Sequence, residues 1–369
     1  MSLRDKLRRG PPADKPSLFA TFGVDANPFP TANQTTGNPH YPIPVDEEAE
    51  ERILTFLREG NSEVLVVIGT QGVGKTNFLN YFEAQIQEVK SELEGVYIVK
   101  YMADPEASFD AIIRSILQEL GTQHLRKLAK CVSERPEILK VARSFDLREM
   151  LGAVGKEIDN DYVLKLGMEW LLGFRLLNAH RLNLNVSFRL DTVESRTSML
   201  RDYIVLSKEA DLLDGIFLLL DELEKQAGVL GPTAVVRYLS ALRAIIDALP
   251  EHLFMIIAIT PDAMRRYASA LPAFRSRLEN QITLSALISV DEARRLAEFY
   301  LEEARKAASR THDGAAGART LITGAEIAEA FETARKASER RGDEGVRQRE
   351  FLNILHKIAE AKIQAPEAA

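Results

Sequence analysis

Residues Gly69-Thr70-Gln71-Gly72-Val73-Gly74-Lys75-Thr76 fit the pattern G-x-x-x-x-G-K-[ST] at every specified position. The octet constrains what stands on both sides of it. Val64-Leu65-Val66-Val67-Ile68 runs straight into it, five aliphatic residues that are mostly β-branched and read as a buried central strand. After Thr76 the apolar spacing becomes helical, with Phe78, Leu79, Phe82, Ile86 and Val89 on one side. Strand, glycine-rich turn and helix together aim backbone N–H groups and a helix N-terminus at a phosphate. The whole octet, Gly69 through Thr76, is therefore the candidate cradle for a nucleoside triphosphate, with ATP as the expected ligand.

The chain has 369 residues, enough for one large core and a smaller second domain. Hydrophobic residues make up 46% and charged residues 27%, the balance of a soluble globular protein. No apolar run approaches the roughly 20 residues that span a bilayer, so no membrane partner is expected. The basic start MSLRDKLRRGPPADKPS lacks the apolar stretch of a secretory signal, and the expected location is cytoplasmic. A single cysteine, Cys131, excludes an internal disulfide framework and a cysteine-based zinc site. The six histidines show no HxxxH or HxH spacing and suggest no transition-metal site. A net charge of −7 argues against wholesale non-specific binding to nucleic acid, while leaving room for a local basic groove.

Residues 1–45 hold eight prolines, a density that disfavours regular structure and suggests an arm or strap. Phe19, Phe22, Val24, Phe29, Tyr41 and Ile43 give that arm apolar contacts with which to pack onto the core. A helix from about Asp46 to Glu59 leads into the first strand. Further strands are expected at Val96–Tyr101, Ile216–Leu220, Phe254–Ile259 and Gln281–Leu284, with helices around 108–120, 122–143, 146–170, 192–213 and 233–249. Strands alternating with helices predict an α/β fold, a parallel five-stranded sheet with helices on both faces. Beyond Ser289 the pattern is helical only, with capping boxes at Ser289…Glu292 and Thr323…Glu326 and a gap at 312–317. The expected domains are an arm (1–45), a nucleotide-binding core (46–287) and a small helical lid (288–369).

Roughly 110 residues separate the second and third strands, too many for one crossover helix. Within this insertion, around 121–190, Leu182, Leu184, Val186, Phe188 and Leu190 alternate with polar residues. They predict a half-buried strand whose hairpin partner is Leu171–Leu177. Such a hairpin either caps the core or contacts a partner or DNA, and Arg175, His180, Arg181 and Arg189 suit the second role.

A phosphate loop accounts for binding, and hydrolysis needs more. Ile216-Phe217-Leu218-Leu219-Leu220-Asp221-Glu222 is an aliphatic strand that delivers two carboxylates at its C-terminal end, the end at which open parallel sheets bind ligands. Asp221 is the candidate ligand for Mg2+ together with the Thr76 hydroxyl. Glu222 is placed to polarise an attacking water, and Lys75 to neutralise β- and γ-phosphate oxygens.

Adjacent Asp221 and Glu222 resemble the Walker B motif of the additional-strand catalytic-glutamate division of P-loop NTPases. The strand Phe254–Ile259 ends at Thr260, a polar residue that resembles the sensor 1 of AAA+ ATPases. Ala273-Phe274-Arg275-Ser276-Arg277-Leu278 resembles their arginine-finger motif. By that resemblance Arg277, or alternatively Arg275, would enter a neighbouring subunit's site. Gly345-Val346-Arg347-Gln348-Arg349-Glu350-Phe351-Leu352 resembles the start of the lid helix that carries sensor 2, assigned to Arg349 with Arg347 as the alternative. Phe22-Gly23-Val24-Asp25-Ala26-Asn27-Pro28-Phe29 resembles the segment that lies near the adenine in TnsC-like and secretion-type members. The likeness extends to origin-recognition, transposition-regulator and STAND-like branches, and the stretch 238–261 to ATPases of BREX-type phage-defence systems. There are two departures: no winged-helix domain follows the lid, and the insertion is longer than minimal members need.

The resemblance implies a Mg2+-dependent ATPase that forms a homo-oligomer, a ring or filament with sites between subunits. It further implies that the protein acts on a partner protein of the same system, in DNA transactions or phage defence. A slow nucleotide-dependent switch of the STAND type is the alternative, and a small-molecule kinase a third.

Overall fold

The computed structural model describes residues 18–102, 109–223, 232–311 and 319–364. The basic start and the gap at 312–317 lie outside the described residues. In chain order the elements are α1 (Pro44–Glu59), β1 (Glu63–Ile68), α2 (Lys75–Lys90), β2 (Val96–Met102), α3 (Phe109–Glu134), α4 (Phe145–Lys156), α5 (Asp161–Leu171), α6 (Asn178–Asn183), α7 (Val193–Glu209), β3 (Gly215–Asp221), α8 (Pro232–Ala248), β4 (Leu253–Ile259), α9 (Pro261–Ala270), α10 (Pro272–Arg275), β5 (Gln281–Thr283), α11 (Val290–Thr311), α12 (Gly324–Arg341) and α13 (Gln348–Gln364). No described helix is long and apolar enough to cross a membrane.

The chain divides into two compact units. The first, Ile43–Gly69 with Phe78–Leu284, contains the sheet. Its five strands run in the order β2-β3-β4-β1-β5, and every pairing is parallel. β3 and β4 are buried along their whole length, as aliphatic runs without alternation require. One face of the sheet, through Ile216, Leu218, Leu220, Met255 and Ile257, joins a core built with Ile112, Ile116, Tyr203 and Leu239. On the other face, Phe56 of α1 packs edge-on to Phe217 at 5.2 Å and tilted against Phe254 at 5.4 Å.

The insertion between β2 and β3 is helical. Gly121 (φ 73°) breaks α3 where two helices are expected. The single helix expected over 146–170 instead stops at Lys156 and restarts at Asp161, where the Asn160 side chain accepts the Tyr162 amide. The 171–190 hairpin does not form. Leu171 closes α5, 174–177 are irregular, and 178–183 form α6. Leu184, Val186 and Leu190 are buried as the alternation predicts, Leu182 and Phe188 of the same alternating set are exposed, and side chains satisfy this backbone in place of a neighbouring strand. The Asp146 carboxylate accepts the amides of Ser187 (3.0 Å) and Phe188 (2.8 Å), and Trp170 Nε1 donates to the Phe188 carbonyl (3.1 Å). Only part of the period-two set faces inward here, and the pattern says nothing of what pairs with the main chain.

The second unit comprises Met1–Pro42, Thr70–Asn77 and Ser285–Ala369. It therefore joins the arm and the phosphate loop to the C-terminal helices, unlike the contiguous domains expected from the sequence. Val24 and Phe29 of the arm are buried with Leu296, Phe331, Phe351 and Leu355 of α11–α13. His356 Nδ1 donates to the Phe29 carbonyl (2.7 Å), and Asn27 Nδ2 donates to the His356 carbonyl and to Glu360 Oε1, both at 3.0 Å. The arm thus packs onto the helical unit. Both sequence-predicted caps form: the Ser289 hydroxyl accepts the Glu292 amide, and Thr323 and Glu326 exchange bonds in a full capping box.

A polar chain runs through the core of the first unit. The Ser207 hydroxyl donates to the Tyr203 carbonyl (2.7 Å), so His124 Nε2 carries the hydrogen given to Ser207 (2.7 Å) and Nδ1 accepts from the Tyr97 hydroxyl (2.8 Å). Burial, with a smaller contribution from Lys127, lowers the His124 pKa from 6.5 to about 4. Below pH 6.5 the unfolded chain takes a proton that the folded chain refuses, so stability falls as pH drops from about 6.5 to about 4. The expected loss across that window is roughly 3 kcal/mol. Urea titrations in that window should show a shallower pH slope for His124→Gln, which keeps a donor for Ser207 and does not titrate. Equal slopes would rule out His124 as the source.

Candidate functional site

β1 ends at Ile68, and the Gly69 amide still donates to the Ile259 carbonyl of β4 (3.2 Å), so the ladder holds the chain up to the first residue of the octet. Gly72 (φ 83°) and Gly74 (φ 107°) then adopt left-handed backbone that other residues avoid. Lys75 and Thr76 open α2, which has no acidic residue in its first turn, leaving the positive helix end uncompensated. Lys75 is buried and its Nζ donates to the Thr70 carbonyl at 3.3 Å. Val73 is buried, while Gln71 is exposed. The result is a loop of main-chain donors before a helix N-terminus, with a lysine folded back across it, the requirements for holding an anion.

Within the second unit two segments meet this loop. Asn77, directly after Thr76, accepts from His40 Nδ1 through Oδ1 (2.9 Å) and donates through Nδ2 to the carbonyls of Asn38 (3.1 Å) and Pro39 (3.3 Å), which ties the arm to the octet. The turn at 345–349 is the other. The Arg349 amide donates to the Gly72 carbonyl at 3.0 Å. A methyl on Gly72 would lie 3.5 Å from the Cβ atoms of both Arg347 and Arg349, and one on Gly74 would lie 3.3 Å from Gln348 Oε1. Both arginines singled out from the sequence therefore start at the phosphate loop. Their side chains differ: Arg347 donates to Asp343 at 2.8 Å and its buried Nε has no partner among the described residues, whereas Arg349 is exposed. The Arg347 guanidinium, helped by Arg341, holds the Asp343 carboxyl below its ordinary pKa.

In the first unit, Asp221 closes β3 with 1% of its surface exposed. Its Oδ1 accepts the Glu222 amide (2.8 Å), and its Oδ2 is buried without a hydrogen-bond partner among the described residues. A buried carboxylate oxygen that lacks a donor suits a hard cation such as Mg2+, which binds through oxygen ligands. Glu222 takes a left-handed conformation (φ 55°), unusual for a residue other than glycine and a feature of functional positions. Thr260 follows β4, the parallel neighbour of β3, so both polar positions stand at the carboxyl edge of adjacent strands. Thr260 also caps α9, its side chain accepting the Ala263 amide (3.4 Å). In α10 and just after it, Phe274 and Leu278 are buried while Arg275 and Arg277 are exposed. Arg277 Nε donates to Asp247 Oδ1 at 2.8 Å, and Asp247 Oδ2 also accepts from Arg243 Nε at 3.1 Å.

Like Asn77 and Asp247, Tyr267 carries no sequence signal of its role. The buried Tyr267 hydroxyl donates to the Leu223 carbonyl at 2.6 Å, pinning the main chain just after Glu222. The sequence shows only a tyrosine on the apolar side of α9.

No protein-family model matches the chain, and no curated protein does. Among solved structures it is similar to the ORC2 protein of Aeropyrum pernix in its ADPNP–ADP complexes, with a TM-score of 0.44 and 13% identity over 89% of this chain and 72% of that one. The ADP form of that protein aligns at a TM-score of 0.38 and 13% identity over 90% and 73%. Cdc6p from Pyrobaculum aerophilum aligns at 0.39 and 13% over 85% and 67%. The case for function rests on the chain's own residues.

Tyr267→Phe leaves a buried carbonyl without its donor, for a cost of about 1–2 kcal/mol. Denaturant unfolding should show that loss, and an unchanged midpoint would mean that water replaces the hydroxyl.

Proposed function

We propose that this protein is an AAA+ ATPase. The observation that carries the reading is Asp221, a buried carboxylate with an oxygen unpartnered among the described residues at the carboxyl end of a central strand, in a chain that also carries a complete phosphate loop. The strand order supports it as well, since β4 stands between β1 and β3 as the additional strand of that division would. ATP is the ligand assigned to Gly69–Thr76, with Lys75 set against its β- and γ-phosphate oxygens. Asp221 and the Thr76 hydroxyl would hold Mg2+, which supplies charge neutralisation on those oxygens. Glu222 accepts the proton of the attacking water, and Thr260 orients that water.

The arginines suggest assembly. Arg277, with Arg275 as the alternative, is assigned to the site of an adjacent copy in a ring or filament, and Arg349, with Arg347 as the alternative, to the nucleotide from the helical unit. The biological use is assigned to remodelling or regulating a partner protein in DNA transactions or phage defence. Two neighbours in structure carry the names ORC2 and Cdc6p, and one is described with ADPNP and ADP. The hydrogen bond from Arg349 to Gly72 favours a second reading, a STAND-type switch that holds its nucleotide and turns over slowly.

Lys75→Ala should weaken ATP binding by roughly a hundredfold in calorimetric titration, equivalent to ~3 kcal/mol. Unchanged binding would end the nucleotide reading. In a second experiment, Glu222→Gln and Arg277→Ala subunits are mixed after each alone has lost roughly 10²-fold or more in turnover. The trans assignment requires partial recovery in the mixture, because sites made from an intact Glu222 and an intact Arg277 then form. Activity that merely averages the two parents counts against it.

A further inference from the structure

Large apolar side chains left exposed are concentrated in one place. Eight of the twelve among the described residues fall in 141–193, including every exposed aromatic ring. The most exposed of these eight are Leu177 (67%), Leu182 (76%) and Phe188 (76%). Within 141–193, the segment 174–190 stands out electrostatically. Residues 174–190 contain Arg175, Arg181 and Arg189 and no aspartate or glutamate, in a chain of net charge −7. Arg175 and Arg189 are exposed, and Arg181 is bound to the Ser187 carbonyl and to Asn178. The segment is held in shape by the Asp146 and Trp170 bonds to residues 187 and 188. A rigid, apolar surface with arginines on it has the composition of a protein interface and loses little entropy on docking.

The sheet unit offers the complementary surface. α1 turns Ile53 and Phe56 inward and leaves Glu47, Glu50, Glu51 and Leu54 exposed. Glu47, Glu51 and Leu54 lie at helical spacing on one side, an acidic stripe ending in a leucine that is 47% exposed. The other exposed leucine of this unit outside 141–193 is Leu93, between Glu92 and Glu94.

We propose that the 174–190 segment docks on the α1 face of a second copy of this chain, with Arg175 and Arg189 against Glu47 and Glu51 and Leu182 and Phe188 around Leu54. The surfaces differ, so the contact is heterologous and propagates from copy to copy until the array closes or grows. The proposal rests on the reading of the protein as an assembling ATPase and names one contact by which it assembles. The exposed leucines favour protein over nucleic acid, which asks for stacked aromatics beside a denser basic track.

The test is a charge exchange on the full chain, followed by sedimentation velocity with ATP and Mg2+. One variant carries Arg175→Glu and Arg189→Glu, the other Glu47→Lys and Glu51→Lys. All four side chains are exposed, and ATP binding by each variant confirms that it has folded. Each variant alone should assemble at least roughly tenfold more weakly than wild type. Mixed together they should recover assembly, because each reversed segment then meets a reversed helix. Phe188→Ser with Leu182→Ser should weaken assembly with no recovery from either partner. A wild-type chain that assembles while both charge variants assemble equally well overturns this contact and leaves the assembly reading standing. A wild-type chain that stays monomeric at tens of micromolar overturns both. Sensitivity to Glu92→Lys with Glu94→Lys in place of the α1 pair moves the contact and overturns the assignment. So does an oligo(dT) strand whose binding depends on Phe188 and Arg189 while assembly does not.

Discussion

A strand of seven residues, every one of them buried, ends in a carboxylate. Desolvating a carboxylate is costly unless donors or a cation answer it. At Asp221 one oxygen is answered by the Glu222 amide and the other by no donor among the described residues. Most of what surrounds it follows from placing that charge there. The aliphatic sequence of β3 and β4 allows polar residues only where the strands run out, so Asp221 and Thr260 gather at one edge of the sheet. Glu222 departs from strand geometry immediately, with a left-handed backbone, and Tyr267 reaches from the core to hold the next residue. The local strain and the buried charge stand side by side, and burial around them holds both in place.

Legibility in the sequence followed the kind of interaction involved. The strands were readable because each is a run of side chains that water rejects on both faces, and a parallel sheet has no other way to use Ile216–Leu220 or Phe254–Ile259. Helix starts with side-chain caps were readable too, since Thr323 and Glu326 satisfy each other's main chain within four residues. The segment 182–190 was misread for a reason that is equally physical. Its alternation takes in the buried Leu184, Val186 and Leu190 but also the exposed Leu182 and Phe188. Its main chain pairs with Asp146, which accepts two amides, and Trp170, which donates to a carbonyl, residues no local pattern connects to it. The break between α4 and α5 turned on one side chain, Asn160, inside an apolar rhythm that continues across it.

The candidate site divides in the same way. The octet and Asp221-Glu222 were legible because both are contiguous and sit at the ends of aliphatic strands. Tyr267, Asn77 and Asp247 were not, since each acts through a partner distant in sequence: a carbonyl at 223, three residues of the arm, and a guanidinium at 277. The arm shows how composition alone misleads. Its prolines disfavour regular structure, yet Val24 and Phe29 are buried, and Asn27 reaches both the main chain at His356 and the carboxylate of Glu360.

The carboxylate of Asp247 has a double role. It serves two guanidiniums at once, Arg243 through one oxygen and Arg277 through the other, at a surface where each ion pair contributes only about 0–1 kcal/mol. An anion that draws Arg277 elsewhere leaves Asp247 still neutralised by its helix neighbour. The arginine is therefore tethered by a knot that slips under light tension, and its departure exposes no bare charge behind it.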